Sequence, residues 1–119
     1  MKILFLDDMP ERHASFKKTR YGVHDITHAY TVEEAIEALS YCEYDGIFLD
    51  HDLGGTYFAP SDENSGHEVA KWIVENVDYS PIVVIHSMNP AGGVRMAQTL
   101  EDGGFNPILQ PFTCLLGQY

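Results

Sequence analysis

Short, almost wholly apolar runs alternate with longer amphipathic stretches along this chain, and that alternation leaves few folds open. Residues 3–6, 46–49 and 82–85 are each apolar nearly throughout. A strand with one wet face would alternate in polarity, so these runs predict strands buried on both faces. Residues 23–29 are weaker and polar-flanked, which predicts a strand near an edge, and residues 108–110 predict a last short strand before Pro111. Between the strands lie helical stretches. Pro10 suits the first turn of a helix running to about Lys18, and Thr31-Val-Glu-Glu34 forms a capping box ahead of Ala35, Ile36, Ala38 and Leu39. Residues 66–77 place Val69, Trp72, Ile73 and Val77 on one helix face, and a helix over residues 91–100 is stopped by Gly103-Gly104. The order βαβαβαβαβ predicts the α/β class, one parallel sheet with helices on both faces.

At 119 residues, 45% of them apolar, the chain fits one globular domain, residues 1–119. Cys42 and Cys114 match no disulfide framework and no cysteine-based zinc spacing, so they predict buried free thiols in a reducing, cytoplasmic setting. The opening MKILFLDD runs into two aspartates and reads as neither a signal peptide nor a membrane span. A net charge of −11 repels duplex DNA, which is held through many Lys and Arg contacts. It leaves room for a small phosphorylated ligand, since a bound cation reverses the sign locally.

In sheets of this kind, ligands bind outside the carboxyl ends of the strands. The strand ends here supply Asp7 and Asp8, then Asp50, His51 and Asp52, then His86 and Ser87, then Gln110. Helix capping explains one acid per strand end. It does not explain Asp-Asp, Asp-His-Asp and His on three converging strands. Crowded carboxylates call for a cation or a shared proton, so the rim predicts a divalent metal: Mg²⁺ or Mn²⁺ first, with Zn²⁺ admitted by the imidazoles.

These residues, in this order, resemble the receiver domain of bacterial two-component signalling. The likeness runs from Asp7-Asp8 through Tyr44-Asp-Gly-Ile-Phe-Leu-Asp50, Gly66-His-Glu-Val-Ala and Pro81-Ile-Val-Val-Ile to Gln110-Pro-Phe112. It implies a flavodoxin-like, five-stranded parallel sheet in the order 2-1-3-4-5. It also implies that Asp7 and Asp8 help hold the metal, that Asp50 falls at the phosphoacceptor position, and that the Asp52 carbonyl is a further ligand. Two departures stand out. Receivers carry Ser or Thr where this chain has His86, and Lys where it has Gln110. An amide cannot supply the charge that steadies an aspartyl phosphate.

With His51 and His86 gained, the set Asp-Asp, Asp-His-Asp-Leu-Gly and His-Ser-Met-Asn is similar to a narrower family, the cyclic-phosphate processing receiver domains. That resemblance implies a metal-dependent phosphoesterase acting on a cyclic or terminal phosphate of a nucleotide or an RNA end. The alternatives are a stand-alone receiver phosphorylated on Asp50 and a degenerate receiver that only binds a protein. In the enzyme reading, His86, His51 and Asp50 are catalytic. A histidine titrating near neutrality suits general acid or base work, though either ring could instead only orient a carboxylate. Ser87 and Asn89 are substrate-binding candidates, and equally candidates to cap the next helix. Gly54 and Gly55 permit close backbone approach to a ligand. The loop that follows, with Tyr57, Phe58, Asp62 and Glu63, reads either as a lid or as an ordinary insertion. His13, His24, His28 and His67 are expected to be structural or solvated. After Pro111 too few residues remain for a full final helix. The sheet face this leaves open predicts a homodimer, unless the short tail closes the face itself.

Overall fold

A computed structural model describes residues 1–53 and 65–115 of the chain. Among these residues, five strands form one parallel sheet: β1 (Lys2–Leu6), β2 (Asp25–Ala29), β3 (Gly46–Leu49), β4 (Ile82–Ile85) and β5 (Ile108–Leu109), in the spatial order β2-β1-β3-β4-β5. The expected order is thus observed. The register pairs Leu6 with Ala29 and Leu49, and Leu49 with Ile85, so the carboxyl ends of the central strands lie level.

Side chains alternate between the two faces of the sheet, and both faces are buried. Leu4, Leu6, Ile47, Leu49, Val83 and Ile85 pack beneath three helices: α2 (Val32–Tyr41), α3 (Gly66–Asn76) and α4 (Pro90–Asp102). Ile3, Phe5, Phe48 and Val84 pack on the other face with Phe16 of α1 (Pro10–Lys17) and with Phe112 and Leu115 of α5 (Phe112–Leu115). Each fully buried side chain of this size contributes about 1.5–3 kcal/mol. The final helix is short, as expected, and its Phe112 and Leu115 lie within the second cluster.

Helix ends follow the local chemistry. Thr31 accepts from the Glu34 N–H at 3.1 Å, while the Glu34 carboxylate reaches back one residue further than a strict capping box, to the Tyr30 N–H at 2.7 Å. Both cysteines are free thiols, but neither is buried as expected: Cys42 is half-buried and Cys114, in the short last helix, is exposed. Boundaries differ from expectation in one instructive place. The sequence pattern starts the second strand at Val23, but Val23 ends a 3-10 turn over Arg20–Val23, and β2 starts at Asp25. Val23 is exposed, with no apolar face to join, and the turn is capped by Thr19, which accepts from the Tyr21 N–H. Among the described residues, no helix is long and apolar enough to cross a membrane.

Candidate metal and phosphate site

The site begins with β1, whose last residue hands the chain directly to Asp7. The Asp7 N–H donates to Ala29 and the Asp50 N–H donates to Leu6, so the strand ladder itself fixes both aspartates at the carboxyl edge. The His86 N–H donates to Leu49 in the same way. Three strands therefore deliver Asp7, Asp50 and His86 to one place. One ligand atom from each lies within 4.8 Å of the others, and all three residues are buried.

Asp7 is the hub. Its Oδ1 accepts from the Met9 N–H at 2.9 Å, and its Oδ2 accepts from His86 Nε2 at 3.1 Å and from Arg12 at 3.3 Å. Burial opposes its charge, yet the His86 bond, the Met9 N–H and the Arg12 guanidinium together hold its carboxyl below the usual range. Burial also keeps His86 neutral against the pull of Asp7, so a neutral imidazole donates Nε2–H to an ionised carboxylate. The His86 ring is stacked on Phe5, with centroids 4.8 Å apart, and its Nδ1 has no hydrogen-bond partner among the described residues.

Asp50 sits between them. Its Oδ1 accepts from the His51 N–H at 2.9 Å, and its Oδ2 lies 3.7 Å from Arg12. Burial, reinforced by the negative charge of Asp7, pushes its carboxyl up to about 8 against the restraint of Arg12. At neutral pH, without a further cation, Asp50 therefore keeps its proton. Two carboxylates and an imidazole at this spacing form a donor set suited to Mg²⁺, Mn²⁺ or Zn²⁺. Burial and the neighbouring Asp7 charge make an ionised Asp50 costly unless a cation joins it.

The remaining predicted residues are placed more variously. Asp8 is half-buried at the rim, close enough for its charge to raise Asp50 further. Asp52 turns its Oδ1 toward the neighbouring His51 Nδ1 at 2.6 Å and accepts from Asn89 Nδ2 at 3.1 Å. The His51 ring is fully buried against α4, where a β-carbon on Gly92 would come within 2.5 Å of it. Asn89 does cap α4, accepting from the Gly92 N–H at 3.1 Å, and Ser87 accepts from the Asn89 N–H at 3.0 Å. Both polar side chains thus hold the start of α4 in place. Gly54 and Gly55, with Tyr57, Phe58, Asp62 and Glu63, lie outside the described residues.

Sequence reasoning missed Arg12. The signal was present: Pro10 opens α1, and a helical side chain leans back toward the helix N-terminus. An arginine two residues inside that start points at the acids just before it. The structural histidines also have definite places. His13 is buried and donates Nε2–H to the Asp7 carbonyl at 2.7 Å, while its Nδ1 meets His28 Nδ1 at 2.7 Å. His67 pairs with Thr99 at 2.7 Å, and His24 with the N-terminal amine at 3.1 Å.

A 2-1-3-4-5 parallel sheet with buried acids at its carboxyl edge defines a receiver-fold domain. Solved structures agree. The signal receiver domain of a protein described as a Luxo repressor, from Vibrio parahaemolyticus, is 25% identical with a TM-score of 0.67, covering 92% of this chain and 76% of that one. The response regulator protein TrrA from Thermotoga maritima, in complex with Mg²⁺–BeF, is 20% identical with a TM-score of 0.67, covering 93% and 87%. A Burkholderia pseudomallei response regulator with a phosphorylated aspartic acid and a calcium ion is 16% identical with a TM-score of 0.62, covering 92% and 58%. The last two likenesses show the fold. The model of the cyclic-phosphate processing receiver domain matches residues 2–102, and the chain belongs to that family. No curated protein matches it.

Proposed function

We propose that this domain is a metal-dependent phosphoesterase acting on a cyclic or terminal phosphate of a nucleotide or RNA end. The observation that carries the reading is the buried convergence of Asp7, Asp50 and His86, in a chain whose family is described by cyclic-phosphate processing. Asp7 and Asp50 would hold Mg²⁺ or Mn²⁺, or Zn²⁺ with His86 as a nitrogen donor, assisted by Asp8 and the Asp52 carbonyl. The bound ion would polarise a phosphoryl oxygen and acidify a water.

His86 is better suited to handling a proton than to ligating. As a ligand through Nε2 it would carry its proton on Nδ1, which has no acceptor among the described residues, whereas metal-bound histidines usually donate that N–H. Held by Asp7 through Nε2–H, the neutral ring keeps a lone pair on Nδ1 that can take a proton from an attacking water. His51 is then a second-line candidate, since its ring nitrogen is already directed at Asp52.

The test is hydrolysis of nucleoside 2′,3′-cyclic and 3′,5′-cyclic monophosphates with each of Mg²⁺, Mn²⁺ and Zn²⁺, beside His86→Ala and His86→Gln. Turnover that needs metal and is lost in both variants supports the proposal. Absence of turnover on every pair, with metal bound, refutes it and favours the alternative of a phosphoacceptor receiver. That alternative draws on the receiver neighbours, and beryllofluoride should then perturb the site through Asp50. Against it stand His86 and Gln110, in the places where receivers carry Ser or Thr and Lys.

Dimerisation is a separate proposal. Because Phe112 and Leu115 occupy the sheet face, its support comes instead from the exposed Ile82, Ile108 and Leu109 near the β5 edge. Sedimentation showing only monomer at micromolar concentration would remove it.

A further inference from the structure

The geometry points to Arg12 as the anion-binding residue of this site, forming with the Asp7–Asp50 pair a subsite for one phosphoryl group. The inference rests on the proposed function for its setting and deepens it by assigning the residue that grips the phosphate.

Three observations carry it. The guanidinium lies 3.3 Å from Asp7 Oδ2 and 3.7 Å from Asp50 Oδ2, so it occupies the space in front of both buried carboxylates. Its Cζ lies over the Phe112 ring at 5.3 Å from the centroid, a contact that uses none of its N–H donors. Its side chain is 18% exposed while those of the acids are nearly sealed, so Arg12 is the face of the site that an incoming ligand meets.

The guanidinium's chemistry decides what that ligand is. A divalent ion between the carboxylates would balance Asp7 and Asp50 and free Arg12 to meet an anion, while the half-buried Asp8 leaves the loaded site with no large net charge. Recognition then rests on the guanidinium itself, whose planar fork is the group best matched to two phosphoryl oxygens. The β5 segment offers no substitute, since Gln110 is neutral. Helix α1 therefore supplies the cation that the last strand lacks.

The competing account is that Arg12 only neutralises the acids. The two accounts separate in a binding experiment that needs no turnover. Mn²⁺ affinity, and then inorganic phosphate affinity on the Mn²⁺-loaded protein, would be measured by calorimetry for wild type, Arg12→Ala and Arg12→Lys. The inference expects Mn²⁺ to bind Arg12→Ala at least as tightly as wild type, because a competing cation is gone. It expects phosphate affinity to fall at least ~10-fold in Arg12→Ala, and to be partly kept in Arg12→Lys. Phosphate affinity within about twofold of wild type in Mn²⁺-loaded Arg12→Ala with native circular dichroism would overturn it, as would a wild-type protein that binds Mn²⁺ but no phosphate. Should wild type bind phosphate through Arg12 yet hydrolyse no cyclic phosphate, the subsite stands and the enzyme reading falls. Turnover with an unchanged KM in Arg12→Ala would instead keep the enzyme reading and remove the subsite.

Discussion

His86 and Asp7 are joined across β3. The imidazole at the end of β4 reaches over the intervening strand to the carboxylate at the end of β1, Nε2 to Oδ2 at 3.1 Å, with both side chains fully buried. His86→Ala should cost about 2–4 kcal/mol, because it leaves a buried carboxylate short of a donor and opens a gap on Phe5. His86→Gln, which keeps a donor, should cost less. Urea midpoints of the two variants check this. Equal midpoints for wild type and His86→Ala would show that the bond contributes nothing.

Asp50 sets a pH dependence of known sign. Its folded carboxyl is raised to about 8 from 3.8, so between those values the folded chain retains a proton that the unfolded chain has released. The metal-free protein therefore loses this contribution as pH rises toward 8. Asp50→Asn should flatten that loss and gain on the order of 1–3 kcal/mol at pH 8, while abolishing divalent-ion binding. Thermal melts of metal-free wild type and variant at pH 6 and 8 read the difference directly.

The same proton must leave when a cation binds. Mn²⁺ affinity should rise with pH up to about 8 and level off above it. Calorimetry at pH 7 in two buffers of different ionisation enthalpy should show close to one proton released per ion. Equal heats in the two buffers would contradict the crowding of Asp50 against Asp7.

Most of the fold was legible because both faces of the sheet are covered. Val83, Val84 and Ile85 are apolar and buried on both faces of the sheet, and that unbroken run marks a central strand without help from neighbours. The end of the first run at Asp7 and of the third at Asp50 likewise located the site. Contacts between distant residues were not legible. Nothing in the sequence says that His51 turns toward Asp52 and α4 while His86 turns toward Asp7, since strand alternation gives a face and not a rotamer. Arg12 escaped for a related reason: a lone arginine in a first turn is ordinary, and only the pairing of β1 with β3 brings two acids before it. Val23 misled because a β-branched residue beside polar ones resembles a strand end, whereas the backbone there is committed to the turn capped by Thr19.

Two adjacent glycines in α4 should behave oppositely. A β-carbon on Gly92 would lie 2.5–2.7 Å from the His51 ring, whereas one on Gly93 meets Leu109 at 3.4 Å and Ile85 at 3.6 Å. Gly92→Ala should destabilise by about 1–3 kcal/mol through forced displacement of α4. Gly93→Ala should be neutral or gain up to about 1 kcal/mol from helix propensity. Chemical denaturation of the pair, with α4 as common background, distinguishes packing from propensity.

Acid should weaken the fold through histidine. Burial, foremost, holds His13, His28 and His67 below the ordinary imidazole value of 6.5. Each takes up its proton more readily when unfolded, so stability contributed above about pH 6.5 is lost as pH falls through the lower, folded values. His67→Gln removes one such group outside the metal site. The wild-type-minus-variant difference in Tm should therefore become more negative from pH 7 to pH 5, and a constant difference would exclude a role for His67.

The brevity of β5 reaches beyond the site. Only Ile108 and Leu109 belong to it, so the outer rim of the sheet on that side presents a very short stretch of unpaired backbone. An incoming strand from another chain would find too little ladder to register against. Association there must rest on side chains alone, and runaway stacking of sheets end to end is denied a foothold at this rim even though its apolar residues face water.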